Sequence, residues 1–238
     1  MLPQTDLTRV VVLDIETVPQ YADHDSMPPH FQQLWELKTR NQRKDQSPEA
    51  YYERAGIWAE FGKIICISCG RIIRDDNGYN LRIKSFFGDD EQRLLSDFCA
   101  MAVQLPADVL FCAHNGKEFD FPYLCRRMLI NRLPIPPLLQ ILGKKPWEVP
   151  FLDTMEMWRF GDFKNYISLN LLAAVFDIPS PKDDIDGSEV AEVYYREKNL
   201  ARIVNYCQKD VATTAQILLR FNGFPLIPNA NITYLADA

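Results

Sequence analysis

Arg9-Val-Val-Val-Leu-Asp-Ile-Glu-Thr17 joins a β-branched run to two carboxylates. A compact run of this kind is typical of a strand buried on both faces. Alternation along a strand puts Asp14 and Glu16 on the same side of the backbone. Two carboxylates this close repel each other unless a proton or a divalent cation lies between them. The pair is therefore a candidate ligand site at the carboxyl end of the strand, where α/β sheets bind ligands.

The same spacing of carboxylates also has a simpler interpretation, which is a solvated strand end. Acidic-x-acidic patterns recur in this chain, at Asp23/Asp25, Asp89/Glu91, Glu118/Asp120 and Asp184/Asp186. Only the position of Asp14 and Glu16, at the end of the most buried-looking strand, separates them from the others.

The rest of the chain indicates one α/β domain over residues 1–238, with a motif-bearing core at about 8–221. Apolar runs predict further strands at residues 63–73, 81–86 and 109–113, and a short one near 149–152. The first two flank Asn77-Gly78, a pair that favours a tight hairpin turn. Helical spacing predicts helices at 89–105, 119–130, 168–176, 188–198 and 200–221. Residues 19–60 form a polar, proline-bearing insertion with helical patterns at 31–40 and 49–61.

The composition is that of a globular protein, since 47% of the 238 residues are hydrophobic and 24% are charged. A formal net charge of −6 argues against a nucleic-acid binder with a broad basic surface. It leaves room for an enzyme whose carboxylates hold cations. The sequence shows neither a membrane-spanning run nor a signal peptide, which favours a cytoplasmic location. Cys66 and Cys69 lie in a strand-like run, as expected of core thiols in a reducing compartment rather than of a zinc ribbon.

A second candidate site lies in Ala113-His-Asn-Gly-Lys-Glu-Phe-Asp-Phe-Pro-Tyr123. A strand ends there, Gly116 allows a close turn, and Asp120 falls at the start of a helix. Taken alone, this segment favours helix capping as the role of Asp120, and Asn115 has the character of an ordinary turn residue. Asp153, at the end of another predicted strand, is expected to cap the helix that follows it.

A third candidate is Tyr206-Cys-Gln-Lys-Asp210 on the predicted helix 200–221. Tyr206 and Asp210 are spaced i, i+4, so they lie on one side of the helix, next to its apolar stripe. A boundary tyrosine beside a solvated aspartate would give the same pattern.

Together and in this order, the three segments resemble the DEDD superfamily of 3′→5′ exonucleases, in the subgroup with a tyrosine in the last motif. The second segment looks most like that of the proofreading domain of family B DNA polymerases, and the chain is similar to stand-alone predicted exonucleases related to that domain. Ser180-Pro-Lys-Asp-Asp-Ile-Asp-Gly-Ser188 also resembles a segment of those proteins. The resemblance implies a ribonuclease H-like α/β fold, with a mixed five-stranded sheet flanked by helices.

The resemblance also implies that Asp14, Glu16, Asp120 and Asp210 bind two divalent cations, with Tyr206 beside the attacking water. Hard oxygen ligands favour Mg²⁺ or Mn²⁺. Residues 121–147 contain five basic and no acidic side chains, which makes them a candidate contact with the nucleic-acid backbone, although a solvated helix face explains them equally well. The side chains predicted to contact the substrate are Thr17, Asn115, Arg126 and Arg127.

The sequence thus predicts a metal-dependent 3′→5′ exonuclease that shortens single-stranded nucleic acid, with DNA favoured, and releases 5′-mononucleotides. An RNA 3′-end exonuclease of the same superfamily is an alternative, because nothing in the sequence reports on the 2′-hydroxyl. A module that binds nucleic acid without cleaving it is another. Any proofreading role would require a separate polymerase or repair partner.

Overall fold

The computed structural model describes residues 5–162, 164–179 and 185–235. Ser180 to Asp184, in the segment singled out by resemblance, lie outside the described residues. Within the described part of the chain, six strands form one sheet: β1 (Val10–Pro19), β2 (Gly62–Asp75), β3 (Gly78–Phe87), β4 (Leu110–Ala113), β5 (Leu152–Asp153) and β6 (Ile232–Tyr234). Their order across the sheet is β5-β4-β1-β2-β3-β6.

The sheet is mixed, and the predicted hairpin is part of it. β2 pairs antiparallel with both β1 and β3, whereas β1–β4, β4–β5 and β3–β6 are parallel. Gly78 follows the turn between β2 and β3 with φ of 120°, a backbone angle that favours glycine. The pairing of β1 with β2 shifts register between Glu16 and Thr17. β1 is thus a central strand whose carboxyl end is irregular.

The helices cover both faces of this sheet. They are α1 (Pro29–Thr39), α2 (Pro48–Tyr51), α3 (Glu91–Val103), α4 (Asp120–Ile130), α5 (Thr154–Arg159), α6 (Leu169–Val175), α7 (Val190–Glu192) and α8 (Leu200–Phe221). A π-helical turn, Val193–Glu197, follows α7. None of the helices in the described ranges is long and apolar enough to cross a membrane.

Alternation along β1 decides which side chains reach which layer. Val11, Leu13 and Ile15 pack into the core on the side of α3 and α4. Val10 and Val12 pack into the core on the side of α8. Because the side-chain period of a strand is two, Asp14 and Glu16 continue the row that faces α8.

The structure adds to the predicted sheet at one edge. β6 pairs with Leu81, Arg82 and Ile83 of β3 and makes a sixth strand where five were expected. Its residues are half-buried or exposed, so no apolar run marks it in the sequence. The short strand predicted near 149–152 is β5, which begins at Leu152 and holds two residues.

The insertion at residues 19–60 is built around one tryptophan. Trp35 of α1 is fully buried and contacts the rings of Tyr52, Trp58 and Phe61. Its indole N–H donates to the Pro48 carbonyl, 2.8 Å away. The helix predicted at 49–61 is α2 followed by a 3₁₀ turn, Tyr52–Ile57. The insertion therefore has an aromatic core of its own, despite its polar composition.

Candidate metal centre

Asp14 and Glu16 meet α8 at the carboxyl end of β1. Ligand atoms of Asp14, Glu16 and Cys207 all lie within 4.8 Å of one another, the only such group among the described residues. Glu16 is 7% exposed. Oδ2 of Asp14 is buried and has no hydrogen-bond partner among the described residues. A buried carboxylate oxygen without a donor is costly unless a proton or a cation satisfies it, so the site is suited to a bound ion.

Asp120, the first residue of α4, reaches the same place from the opposite side of β1. It is 4% exposed, and its Oδ1 accepts the backbone N–H of Ile15 at 3.2 Å. Ile15 lies between Asp14 and Glu16 in the chain. The second sequence motif is thereby docked onto the first.

Tyr206 and Asp210 are contributed by α8. The helix begins after Asn199, whose side chain accepts the N–H of Arg202 at 3.1 Å and so caps it. Their i, i+4 spacing brings the Tyr206 hydroxyl into hydrogen-bonding contact with the Asp210 carboxylate. Burial, followed by repulsion from Asp210 and Glu16, raises the pKa of Tyr206. The phenol therefore stays protonated at neutral pH.

The carboxylates of this cluster lie close enough to repel one another and to raise one another's pKa values. Burial, then repulsion from Asp120 and Asp210, raises the pKa of Asp14 well above its ordinary value. Burial, then repulsion from Asp14 and Asp210, also raises the pKa of Glu16 well above its ordinary value. Burial raises the pKa of Asp120 to about 7, against two backbone hydrogen bonds that lower it. All four carboxylates thus contribute to one negative site, which protons or cations stabilise.

Cys207 is the neighbour of this site that sequence reasoning did not identify. Its Sγ donates to the backbone carbonyl of Asp14 at 3.5 Å. Burial raises the pKa of the thiol, so it stays protonated as a donor. The sequence places Cys207 in the apolar stripe of a helix, where a core thiol is the ordinary interpretation. The six cysteines, all within the described residues, are free.

Asp153 shapes the loop that carries the second motif. As predicted, it caps a helix, because its Oδ1 accepts the N–H of Met155 in α5 at 2.9 Å. The same carboxylate also accepts the N–H groups of Asn115 and Lys117, each at 3.0 Å. Asn115 takes the left-handed conformation, with φ of 62°. Asp153 therefore holds the turn between β4 and α4 in addition to its capping role.

The four side chains predicted to contact the substrate have different surroundings. The Thr17 hydroxyl donates to the Gly56 carbonyl at 2.9 Å, Asn115 is half-buried, and Arg126 is exposed. Arg127 is 2% exposed, and its Nε donates to Glu91 Oε1 at 2.8 Å. The prediction that Arg127 contacts the substrate is therefore wrong, because its guanidinium is already occupied inside the protein.

Comparison with known proteins gives the chain a family and a fold. Residues 57–225 match a family model described as "Predicted 3'-5' exonuclease related to the exonuclease domain of PolB". No curated protein matches the sequence. A solved structure, the family B DNA polymerase from the hyperthermophilic archaeon Pyrobaculum calidifontis, is similar with a TM-score of 0.58 and 16% identity.

The similarity to that polymerase covers 89% of this chain and 24% of the polymerase chain, so the chain spans about a quarter of its length. Identity at this level supports the fold alone. The ribonuclease H-like α/β fold expected from the sequence is confirmed, with six strands in its mixed sheet.

Proposed function

Because the chain belongs to the family of predicted 3′–5′ exonucleases related to the exonuclease domain of family B DNA polymerases, we propose that it is an active, metal-dependent 3′→5′ exonuclease. It hydrolyses the terminal phosphodiester of single-stranded nucleic acid, DNA in preference to RNA, and releases 5′-mononucleotides. The observation that carries the proposal is the meeting of Asp14, Glu16 and Asp120 around the end of β1, with Asp210 repelling the first two from α8.

Exonuclease domains of this kind are metal-dependent, and the donor set fits hard cations. Asp14, Glu16, Asp120 and Asp210 offer carboxylate oxygens, the ligands that Mg²⁺ and Mn²⁺ prefer. The protonated thiol of Cys207 is a poor ligand for such ions and instead fixes the backbone of Asp14. Two bound cations would activate water and stabilise the leaving oxygen of the phosphodiester.

Tyr206 acts on the attacking water. Its hydroxyl keeps its proton because its pKa is raised, which makes it a poor general base. It therefore orients the water by hydrogen bonding, while the Asp210 carboxylate fixes the direction of the hydroxyl group. Removing the hydroxyl would slow the chemical step without removing a ligand.

The substrate strand would be held beside the metal centre by groups from the second motif and from α4. Asn115 lies on the turn that Asp153 holds, and it is proposed to hydrogen-bond near the terminal nucleotide. Arg126 is exposed on α4 and is proposed to contact a phosphate. The whole chain works as one exonuclease domain in this proposal.

The decisive experiment uses 3′- and 5′-labelled single-stranded DNA and RNA of one sequence, incubated with Mg²⁺, with Mn²⁺ and with EDTA. Stepwise shortening from the 3′ end that stops with EDTA and with Asp14→Ala would support the proposal. Faster cleavage of the RNA than of the DNA would show that RNA is the preferred substrate. Binding without release of nucleotide under any metal would show a binding module instead, and internal cuts would show an endonuclease.

A further inference from the structure

The loop that follows α5 presents one tyrosine ring with a defined face. Tyr166 is 64% exposed, although it lies close to the second motif. The Arg159 guanidinium lies over the ring, 4.9 Å from its centroid, and the Arg159 side chain is 9% exposed. One face of the ring is thus covered by a nearly buried cation, while the residue as a whole stays largely exposed.

The ring is held in place by hydrogen bonds as well as by stacking. The Tyr166 hydroxyl donates to Glu118 Oε2 at 3.1 Å. Arg159 is fixed in turn, because its Nη1 donates to Glu118 Oε1 at 3.2 Å and its Nε donates to the Asn165 carbonyl at 2.9 Å. These contacts reduce the rotamer freedom that an exposed tyrosine ordinarily has. An aromatic ring that is exposed and already fixed loses little conformational entropy when a ligand binds to it.

The loop is also tied to the turn that leads into the metal centre. The Nε2 of His114 donates to the carbonyl of Ile167, next to Tyr166, at 3.0 Å. Glu118, which holds the Tyr166 hydroxyl, lies two residues before Asp120. Hydrogen bonds therefore connect Tyr166 and its neighbour Ile167 to the segment that carries a proposed metal ligand.

We propose that Tyr166 is a stacking platform for a base at or near the 3′ end of the single-stranded substrate, an inference that rests on the proposed exonuclease function. Every base has a π face, so a fixed aromatic ring grips a strand without selecting its sequence. Arg159 neutralises Glu118, the carboxylate nearest to the ring, and so limits repulsion of the approaching phosphates. Stacking demands an unpaired base, so the platform favours single-stranded over paired ends.

The test combines turnover with a spectroscopic signature of stacking. Oligonucleotides carrying 2-aminopurine as the 3′-terminal or penultimate base are titrated with protein in the Asp14→Ala background, so that binding is read without hydrolysis. Stacking on Tyr166 is expected to change the 2-aminopurine fluorescence. Tyr166→Ala should remove that change and weaken binding about 5- to 150-fold. In the otherwise wild-type protein, Tyr166→Ala should raise KM by a similar factor, with a smaller effect on kcat.

Two comparisons separate stacking from a structural role. Tyr166→Phe keeps the ring and its stacking on Arg159 but loses the bond to Glu118, so it should keep the fluorescence change and lose much less affinity than Tyr166→Ala. Tyr234→Ala removes another exposed tyrosine, on β6 at the far edge of the sheet, and should change neither signal. If Tyr166→Ala does not fold, Tyr166→Leu takes its place, because leucine keeps apolar bulk over Arg159 without the aromatic face.

The inference is overturned if the variant without the ring binds and fluoresces like the wild type, or if Tyr166→Phe is as defective as Tyr166→Ala. The outcome is distinct from failure of the proposed function. A wild-type protein that releases no nucleotide contradicts the exonuclease, whereas an active wild type with an indifferent Tyr166 contradicts only the platform.

Discussion

The backbone N–H of Ile15 donates to the Asp120 carboxylate at 3.2 Å, across the boundary between the central strand and α4. This bond fixes Asp120 relative to Asp14 and Glu16, because Ile15 separates the two in the chain. The buried carboxylates are therefore held together by backbone geometry, against their mutual repulsion. Such preorganisation is what a site for closely spaced cations requires.

Replacing a ligand should abolish turnover and leave the fold intact. Asp14→Ala or Asp210→Ala removes a carboxylate from the metal centre, so we expect kcat/KM for 3′-terminal hydrolysis to fall by more than about 10³-fold. The stabilisation that Mn²⁺ gives to the wild type in thermal unfolding should shrink as well. Asp25→Ala, at an aspartate whose side chain is 91% exposed, is the matched control. Wild-type rates in Asp14→Ala would rule out our assignment of the ligands.

The sequence was sufficient to predict the strand and helices that carry the candidate site residues, because each motif lies in or beside an element with a clear hydrophobic pattern. β1, α4 and α8 were predicted from apolar runs and helical spacing, and β1 and α4 place Asp14, Glu16 and Asp120 close together. The sequence could not show that Cys207 turns its thiol toward the Asp14 backbone, because a helical stripe predicts burial and not a hydrogen-bond partner. The orientation of Tyr166 likewise depends on Arg159 and Glu118, which are distant in sequence from one another.

Removing the Tyr206 hydroxyl should separate catalysis from metal binding. Tyr206→Phe leaves the four carboxylates in place, so we expect kcat to fall about 10- to 100-fold while the stabilisation by Mn²⁺ stays near that of the wild type. Single-turnover rates and thermal unfolding with and without metal measure the two effects separately. A Tyr206→Phe protein that no longer responds to Mn²⁺ would assign the tyrosine a structural role at the site instead.

The repulsion among the carboxylates predicts how the stability of the metal-free protein depends on pH. Burial raises the pKa of Asp120 from its ordinary 3.8 to about 7, so between these values the native state binds a proton that the unfolded chain has released. The free energy of unfolding therefore falls as pH rises through this window. Asp120→Asn removes this titration, so with EDTA the wild type should lose several degrees more in Tm than the variant between pH 5 and pH 8.

Two features make the pH experiment specific to the metal centre. Burial lowers the pKa of His114, which destabilises the native state at acid pH, but this effect is common to the wild type and to Asp120→Asn and cancels in the comparison. Saturating Mn²⁺ should remove most of the difference, because bound cations replace the protons. Parallel pH curves for the two metal-free proteins would contradict the raised pKa of Asp120.

Two adjacent arginines of α4 should affect different properties when each is replaced by alanine: Arg127 the stability of the fold, and Arg126 the affinity for the substrate strand. The sequence predicted the same role for both, because a run of basic residues does not show which side chain turns inward. Arg127→Ala leaves Glu91 buried without its cation, so we expect a loss of about 3–5 kcal/mol in the free energy of unfolding.

Arg126→Ala should leave the free energy of unfolding within about 0.5 kcal/mol of the wild-type value. Its affinity for single-stranded DNA should fall, with the slope of log K against log salt reduced in magnitude by about 0.7 if one phosphate contact is lost. Denaturant unfolding and binding titrations at several salt concentrations measure both variants. An unchanged salt slope in Arg126→Ala would remove α4 from the proposed path of the substrate strand.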